Sequence, residues 1–273
     1  MTVRELRLLA AGLRLDILDI VYRAKSGHIG GDLSAIDILT ALYFHHMRVS
    51  PGNAADPDRD RCLLSKGHSV EALYAVLAAK GFFPRADLET VSQFGSPYIG
   101  HPTKKIPGIE MCTGSLGHGL SLGAGMALAL KKDSRLSRVF VVLGDGELAE
   151  GSNWEGAMAA GQWKLDNLYA FIDRNRLQIS GSTEAVMTAE PLAQRFESFG
   201  WRTKTIGGND MGALVGALDF HGDICMPAAI ICETTKGAGV SFMENSVAWH
   251  HRVPTAEEYE EARCELSEKK AAI

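Results

Sequence analysis

Two hard oxygen donors stand at the ends of successive apolar runs. The run from Val139 to Leu143 gives way to Gly144-Asp145-Gly146, and the run from Leu168 to Ile172 gives way to Asp173-Arg174-Asn175. A carboxylate and an amide at two strand ends, joined by backbone carbonyls and phosphate oxygens, suit Mg²⁺ or Ca²⁺ and not zinc. Glycine on either side of Asp145 lets the main chain approach the ligand that shares the metal. Four of the nine histidines fall in loop-like surroundings: His28 in SGHIGG, His68 in SKGHS, His101 in IGHPT and His250 in WHHRVP. Singly, each is by default a surface or structural histidine. Together they offer neutral donors, acceptors and proton carriers suited to a polyhydroxylated substrate beside a charged cofactor.

The glycines also fit a loose G-x-G-x-x-A over Gly144 to Ala149, the dinucleotide fingerprint. Electrostatics disfavours it. Asp145 would face a pyrophosphate with no cation between them. The acid expected about twenty residues past the glycines is also missing, since Asp173 lies too far along.

The elements that must position these groups alternate along the chain. Strands are expected at 61–65, 138–143, 168–173, 201–206 and 227–233, with helices at 152–162, 191–199 and 210–220 between the later ones. Helices are also expected at 3–24, 70–80, 86–93 and 116–132, and at 34–46 with Ser34 as its cap. Residues 26–32 read as a flexible loop. A charged helix over 255–270 leads with acids and closes on Lys269-Lys270, as the helix dipole favours. This pattern predicts an α/β fold, a doubly wound and mostly parallel sheet with helices on both faces. Ligands of such sheets bind at the carboxyl ends of strands, where Asp145, Asn175, His68 and Lys236 fall. No linker or repeat divides residues 1–273, so a single domain is expected.

Bulk composition narrows the partners. The 273 residues are 46% hydrophobic and 22% charged, with a net charge of −5. That supports a large core and gives no basic run for nucleic acid. Five scattered cysteines fit neither a disulfide framework nor a zinc site. With no signal peptide and no membrane-length apolar run, a cytoplasmic protein is expected. Trp154, Trp163 and Trp201 read as packing residues, Lys66 and Lys236 equally well as solvated lysines or phosphate contacts, and Glu147 as a helix-dipole acid.

The stretch from Val139 to Ser180 resembles the diphosphate-binding motif of thiamine-diphosphate enzymes, GDG followed at a later strand end by Asn. The family pattern ends in two Asn. Arg174 stands for the first, and the metal ligand is the second. SGHxGG, LSKGH, GHP, TGSLGHGL, GDGELxEGxxWE and TxKGxGVSFME followed by WH occur in the order found in transketolase, from about Ser26 to Pro254. The resemblance implies thiamine diphosphate held through Mg²⁺, which Ca²⁺ or Mn²⁺ can replace. It assigns the metal to the side chains of Asp145 and Asn175 and the carbonyl of Leu177. Gly144 and Gly146 flank the diphosphate. His28, His68, His101 and His250 face cofactor and sugar, with His68 and His250 nearest the diphosphate. Gly114, Ser115 and Leu116 lie along the cofactor, Leu116 against the aminopyrimidine, and Glu150 matches a buried acid at a subunit contact. The chain departs from the pattern at Ile29 for Pro, Asn209 for His and His251 for Gly.

Transketolases place the diphosphate and the pyrimidine on different domains, and a glutamate of the second domain activates the cofactor. After Pro254 only the charged helix follows. The resemblance therefore implies the N-terminal half of a split transketolase, inactive alone. Its partner would be a C-terminal subunit carrying the pyrimidine domain and the catalytic Glu, assembled as a heterotetramer with two copies of each chain. The implied reaction moves a two-carbon ketol unit from a ketose, often phosphorylated, to an aldose. Deoxyxylulose-phosphate synthesis, a 2-oxo acid dehydrogenase component, an unusual ketose and a non-catalytic subunit remain as alternatives.

Overall fold

Near-continuous apolar runs form the centre of the computed structural model, which describes residues 1–219 and 225–273. The helices are α1 (Val3–Ala24), α2 (Ile29–Ala41), α3 (Val70–Lys80), α4 (Gly119–Lys132), α5 (Gly151–Gln162), α6 (Thr183–Met187), α7 (Leu192–Ser198), α8 (Met211–Val215) and α9 (Ala256–Ala271). The strands are β1 (Arg61–Leu64), β2 (Val139–Gly144), β3 (Leu168–Arg174), the short pair β4 (Leu177–Gln178) and β5 (Gly181–Ser182), then β6 (Arg202–Gly207) and β7 (Ala228–Glu233). Among the described residues, five strands form one parallel sheet in the order β1-β2-β3-β7-β6.

Alternate side chains of each strand feed two cores. Phe140, Val142, Phe171 and Ile230 face the layer that holds α1, α2 and α3. Val141, Leu143, Ala170, Ile172 and Ile231 face the layer that holds α4, α5 and α7. This is the expected α/β sheet covered on both faces, because strands buried on two sides need apolar residues at both phases of the pleat.

Several local expectations are corrected. Residues 29–32 are helical, not a flexible loop, and His28 rather than Ser34 precedes the first turn. The Gly30-Gly31 pair is there for close packing: a Cβ on Gly30 would fall 2.6 Å from the Trp249 carbonyl oxygen. Every residue of α2 is buried, so tertiary packing supplies what glycine's helix propensity withholds. The helix ends at Ala41 in a π-helical turn, Leu42–His46. The helix expected at 86–93 is a 3-10 segment, Arg85–Thr90. The one expected from 116 starts at Gly119, because the Gly117 N–H is taken by a side chain and its φ is +87°. The helix expected at 210–220 stops at Val215 and continues as a 3-10 turn to Leu218; residue 220 lies outside the described residues. Among the described residues no helix is long and apolar enough to cross a membrane.

Candidate functional site

Register places the two oxygen donors together. Gly144 of β2 lies opposite Asp173 of β3, so the chain after each strand turns over the same sheet edge. Asp145 is buried, and its Oδ1 and Oδ2 accept the N–H groups of Gly146 at 2.9 Å and Arg176 at 2.6 Å. Asn175 is also buried, and its Oδ1 accepts the Leu177 N–H at 3.1 Å. Asp145, Asn175 and Leu177 line one pocket of about 380 Å³, flanked by Gly144 and Gly146. Burial first, and the nearby Asp173 carboxylate second, push Asp145 up to about 6.

Cations face these donors across the pocket. Lys66 is 1% exposed, pairs with Asp173, and donates to the Gly31 carbonyl at 3.0 Å. Asp173 also accepts from Ser34 Oγ at 2.6 Å and from Thr234 Oγ1. Burial alone would raise Asp173, but the Lys66 charge and these donors hold it below the usual carboxylate range. Lys236 is 1% exposed, and its Nζ lies 3.0 Å from His250 Nδ1. Among the described residues, no carboxylate lies within ion-pair distance of Lys236. Burial, then the Lys66 charge, bring it down to about 8, so it remains mostly charged at neutral pH. Neither lysine is solvated, which removes one of the two sequence-based alternatives.

The four candidate histidines converge. His28 lies 5.1 Å from His68, 6.4 Å from His101 and 5.6 Å from His250 between ring centroids, and His68 lies 5.4 Å from His250. His251 joins them, 4.6 Å from His28. Burial and neighbouring positive charges lower His28 to about 4 and His250 to about 3, and push His68 further down. Burial lowers His101 as well. These imidazoles are therefore neutral near pH 7, each with one donor and one acceptor nitrogen. Gly114 lies against the His101 ring, Ser115 is exposed, and Leu116 lines the pocket. Glu150 is exposed on this chain, where the surface expected for it was a subunit contact. One expectation fails here: Trp163 is 55% exposed and not a packing residue, whereas Trp201 is buried and Trp154 partly so.

Sequence reasoning takes Glu147 for a helix-dipole acid and misses its role as a junction. Its carboxylate is 3% exposed and joins three loops. It accepts from Ser65 Oγ, from the Gly117 N–H at 2.9 Å and from the Gly144 N–H at 3.1 Å. Burial raises its proton affinity, and these donors partly offset that. Glu147→Ala is expected to cost about 2–4 kcal/mol in denaturant unfolding, because it strands buried donors. Glu147→Gln, which keeps one acceptor oxygen, should lose less; equal losses would refute this role. Ser65, Gly117 and Gly144 each fall in a motif legible in sequence, LSKGH, TGSLGHGL and GDGEL, but nothing within those motifs shows that they meet.

Comparison with known proteins identifies the family. Residues 6–271 match the family described as transketolase, thiamine diphosphate binding domain. A chain of the apulose-4-phosphate transketolase of Phocaeicola vulgatus, named as one of that enzyme's subunits, is 52% identical over 98% of this chain and 96% of its own length. The 6-deoxy-6-sulfo-D-fructose transketolase subunit SqwG of a Clostridium species is 40% identical over 93% of each chain. The crystal structure of Campylobacter jejuni transketolase superposes with a TM-score of 0.92 at 32% identity. The match covers 98% of this chain but only 43% of the Campylobacter one. The chain belongs to the transketolase family and corresponds to that family's thiamine-diphosphate-binding domain.

Proposed function

We propose that this chain is the diphosphate-binding subunit of a two-chain transketolase and that residues 1–273 form one domain for that purpose. The observation that carries this reading is the pairing of opposites in one pocket. Lys236 is a buried ammonium without a carboxylate partner among the described residues, and it faces Asp145 and Asn175. A buried charge needs a partner. An anion beside the lysine and a cation beside the oxygens supply both, and a Mg²⁺-diphosphate is one such ligand. The residues fit it: the donor set is all hard oxygen, and Gln178 adds a buried Oε1 without a hydrogen-bond partner at the pocket wall.

In this reading Asp145, Asn175 and the Leu177 carbonyl hold Mg²⁺, or Ca²⁺ or Mn²⁺ in its place. Lys236, His68 and His250 face the diphosphate, with the main chain at Gly144 and Gly146 close against it. Gly114 to Leu116 run along the cofactor, and Leu116 supports its aminopyrimidine. Thiamine diphosphate, when bound, supplies the electron sink that ketose cleavage needs. The neutral imidazoles of His28, His101 and His250 bind sugar hydroxyls and carry protons between them. Glu150, exposed here, meets a second subunit. The partner carries the pyrimidine domain and its glutamate, and the assembly is a heterotetramer of two copies each. The 52% relative's name favours apulose 4-phosphate as the first donor to try, and the other relative's name favours a sulfonated ketose next.

The test is an assay of ketol transfer with Mg²⁺ and thiamine diphosphate, for this chain alone and with its partner. Turnover is expected only with the partner, on ketose phosphates and not on pyruvate. Robust turnover by the chain alone refutes the split assembly, and turnover on pyruvate refutes the ketol-transfer assignment.

A further inference from the structure

Behind the histidines lies a pair of acids that the proposed chemistry does not use. Asp32 sits in the first turn of α2 and Glu71 in the first turn of α3, and the two helices pack together. Their exposures are 0% and 1%. The two carboxyl groups lie within hydrogen-bonding reach of each other. Asp32 Oδ1 accepts the Ala72 N–H at 2.9 Å, whereas Asp32 Oδ2 and Glu71 Oε2 have no other donor.

Two bare carboxylates cannot share a dry site. Among the described residues, no cation forms an ion pair with either acid. Lys66 and Lys236 act on Asp32 only through space, and the Lys66 ammonium is committed to Asp173 and the Gly31 carbonyl. Tyr74, one turn further along α3, directs its hydroxyl to the Ile99 carbonyl. Among the described residues, no group of three or more His, Cys, Asp or Glu could hold a metal. A proton is the remaining way to join them. The Ala72 N–H, donated to Asp32 Oδ1, favours the anion on Asp32, which leaves the proton on Glu71.

The pair is also placed to matter. Gly27, just before His28, has φ +145°, and a Cβ there would fall 2.7 Å from Val21 Cγ2 and 3.2 Å from Glu71 Oε1. The backbone that carries His28 thus rests on Glu71, while α3 begins two residues after His68. We propose that Glu71 donates a shared proton to Asp32, and that this bridge is a positioning device that holds the His28 loop against the segment bearing His68. Its effect on turnover rests on the proposed ketol transfer; the proton itself does not.

Burial raises both groups, Asp32 to about 7 and Glu71 well above the ordinary range, with the Asp32 charge pushing Glu71 further. Unfolded, both acids ionise near pH 4. Above that pH the native state binds more protons than the unfolded state, so stability falls as pH rises until the native pair also ionises. Glu71→Gln replaces the shared proton with a permanent N–H donor, and Glu71→Leu removes the donor.

The experiment measures Tm of the full chain from pH 6 to 9, with infrared spectra at pH 7, for wild type and both variants. Wild type should show a protonated-carboxyl C=O band that is weaker in Glu71→Gln, leaving a positive wild-type-minus-Gln difference. The Gln variant should have the flatter pH profile. The Leu variant should melt roughly 3–8 °C lower at pH 8. In the complex with the partner, Leu should lower kcat roughly 10- to 100-fold with a smaller change in cofactor affinity, and Gln should restore most of it. Absence of that difference, or parallel Tm profiles for wild type and Gln, overturns the shared proton. An unchanged kcat in the Leu variant overturns the positioning role. If no form of the complex transfers ketol units, the proposed reaction fails, and the spectra and melting curves still decide the proton.

Discussion

Asp145→Ala is expected to remove Mg²⁺-dependent thiamine diphosphate binding. The carboxylate is the one anionic member of the proposed donor set, beside the amide of Asn175 and the carbonyl of Leu177. Losing an outer partner of a metal ligand already costs about 10–100-fold in affinity, so losing the charged ligand itself should exceed about 100-fold. The readout is titration calorimetry with both ligands, supported by melting curves. A ligand present at 100 times its Kd stabilises the native state by about 2.7 kcal/mol. Wild type should therefore gain several degrees on adding Mg²⁺ and cofactor, and the variant should gain none. Asp145→Asn keeps an oxygen but no charge and should fall between. Without ligands the alanine variant should remain folded, because it also relieves the repulsion between Asp145 and Asp173. Affinity within a few-fold of wild type would remove Asp145 from the metal site.

The largest stability effect is expected at Lys66. Lys66→Met leaves Asp173, fully buried, without its cation. Breaking one side of a buried ion pair typically costs about 3–5 kcal/mol. The double change Lys66→Met with Asp173→Asn should recover most of that, since it removes both charges and keeps groups for Ser34 and Thr234 to bond. Urea unfolding of the single and double variants measures the difference. A double variant no more stable than the single one would show that the pair is not the source of the loss.

Much of this site was legible because its information is local. Asp145 and Asn175 each follow an apolar run, and a strand end is where the backbone stops pairing and a polar side chain becomes available to a ligand. The sheet and its two covered faces followed from the alternation of strand and helix signals, most of whose boundaries shifted by one residue. What sequence could not supply was pairing across the fold. Lys66 and Asp173 meet because β1, β2 and β3 lie side by side, and single-residue chemistry does not distinguish a buried lysine from a solvated one. The start of α2 escapes sequence reasoning because Gly30-Gly31 signals a loop in isolation and a tight crossing in context. Family likeness assigns burial to Glu150, but no packing within this chain provides it.

The junction at Glu147 constrains how this chain can diverge. One carboxylate holds the ends of three loops that are remote in sequence, through Ser65, Gly117 and Gly144. A change in any of them alters the geometry the others need, so mutations there should be strongly epistatic. The outer imidazoles His101 and His251 are exposed and are not tied to that knot. Under the proposed ketol transfer, directed evolution toward a new sugar should find its tolerated changes at that rim and leave the knot untouched.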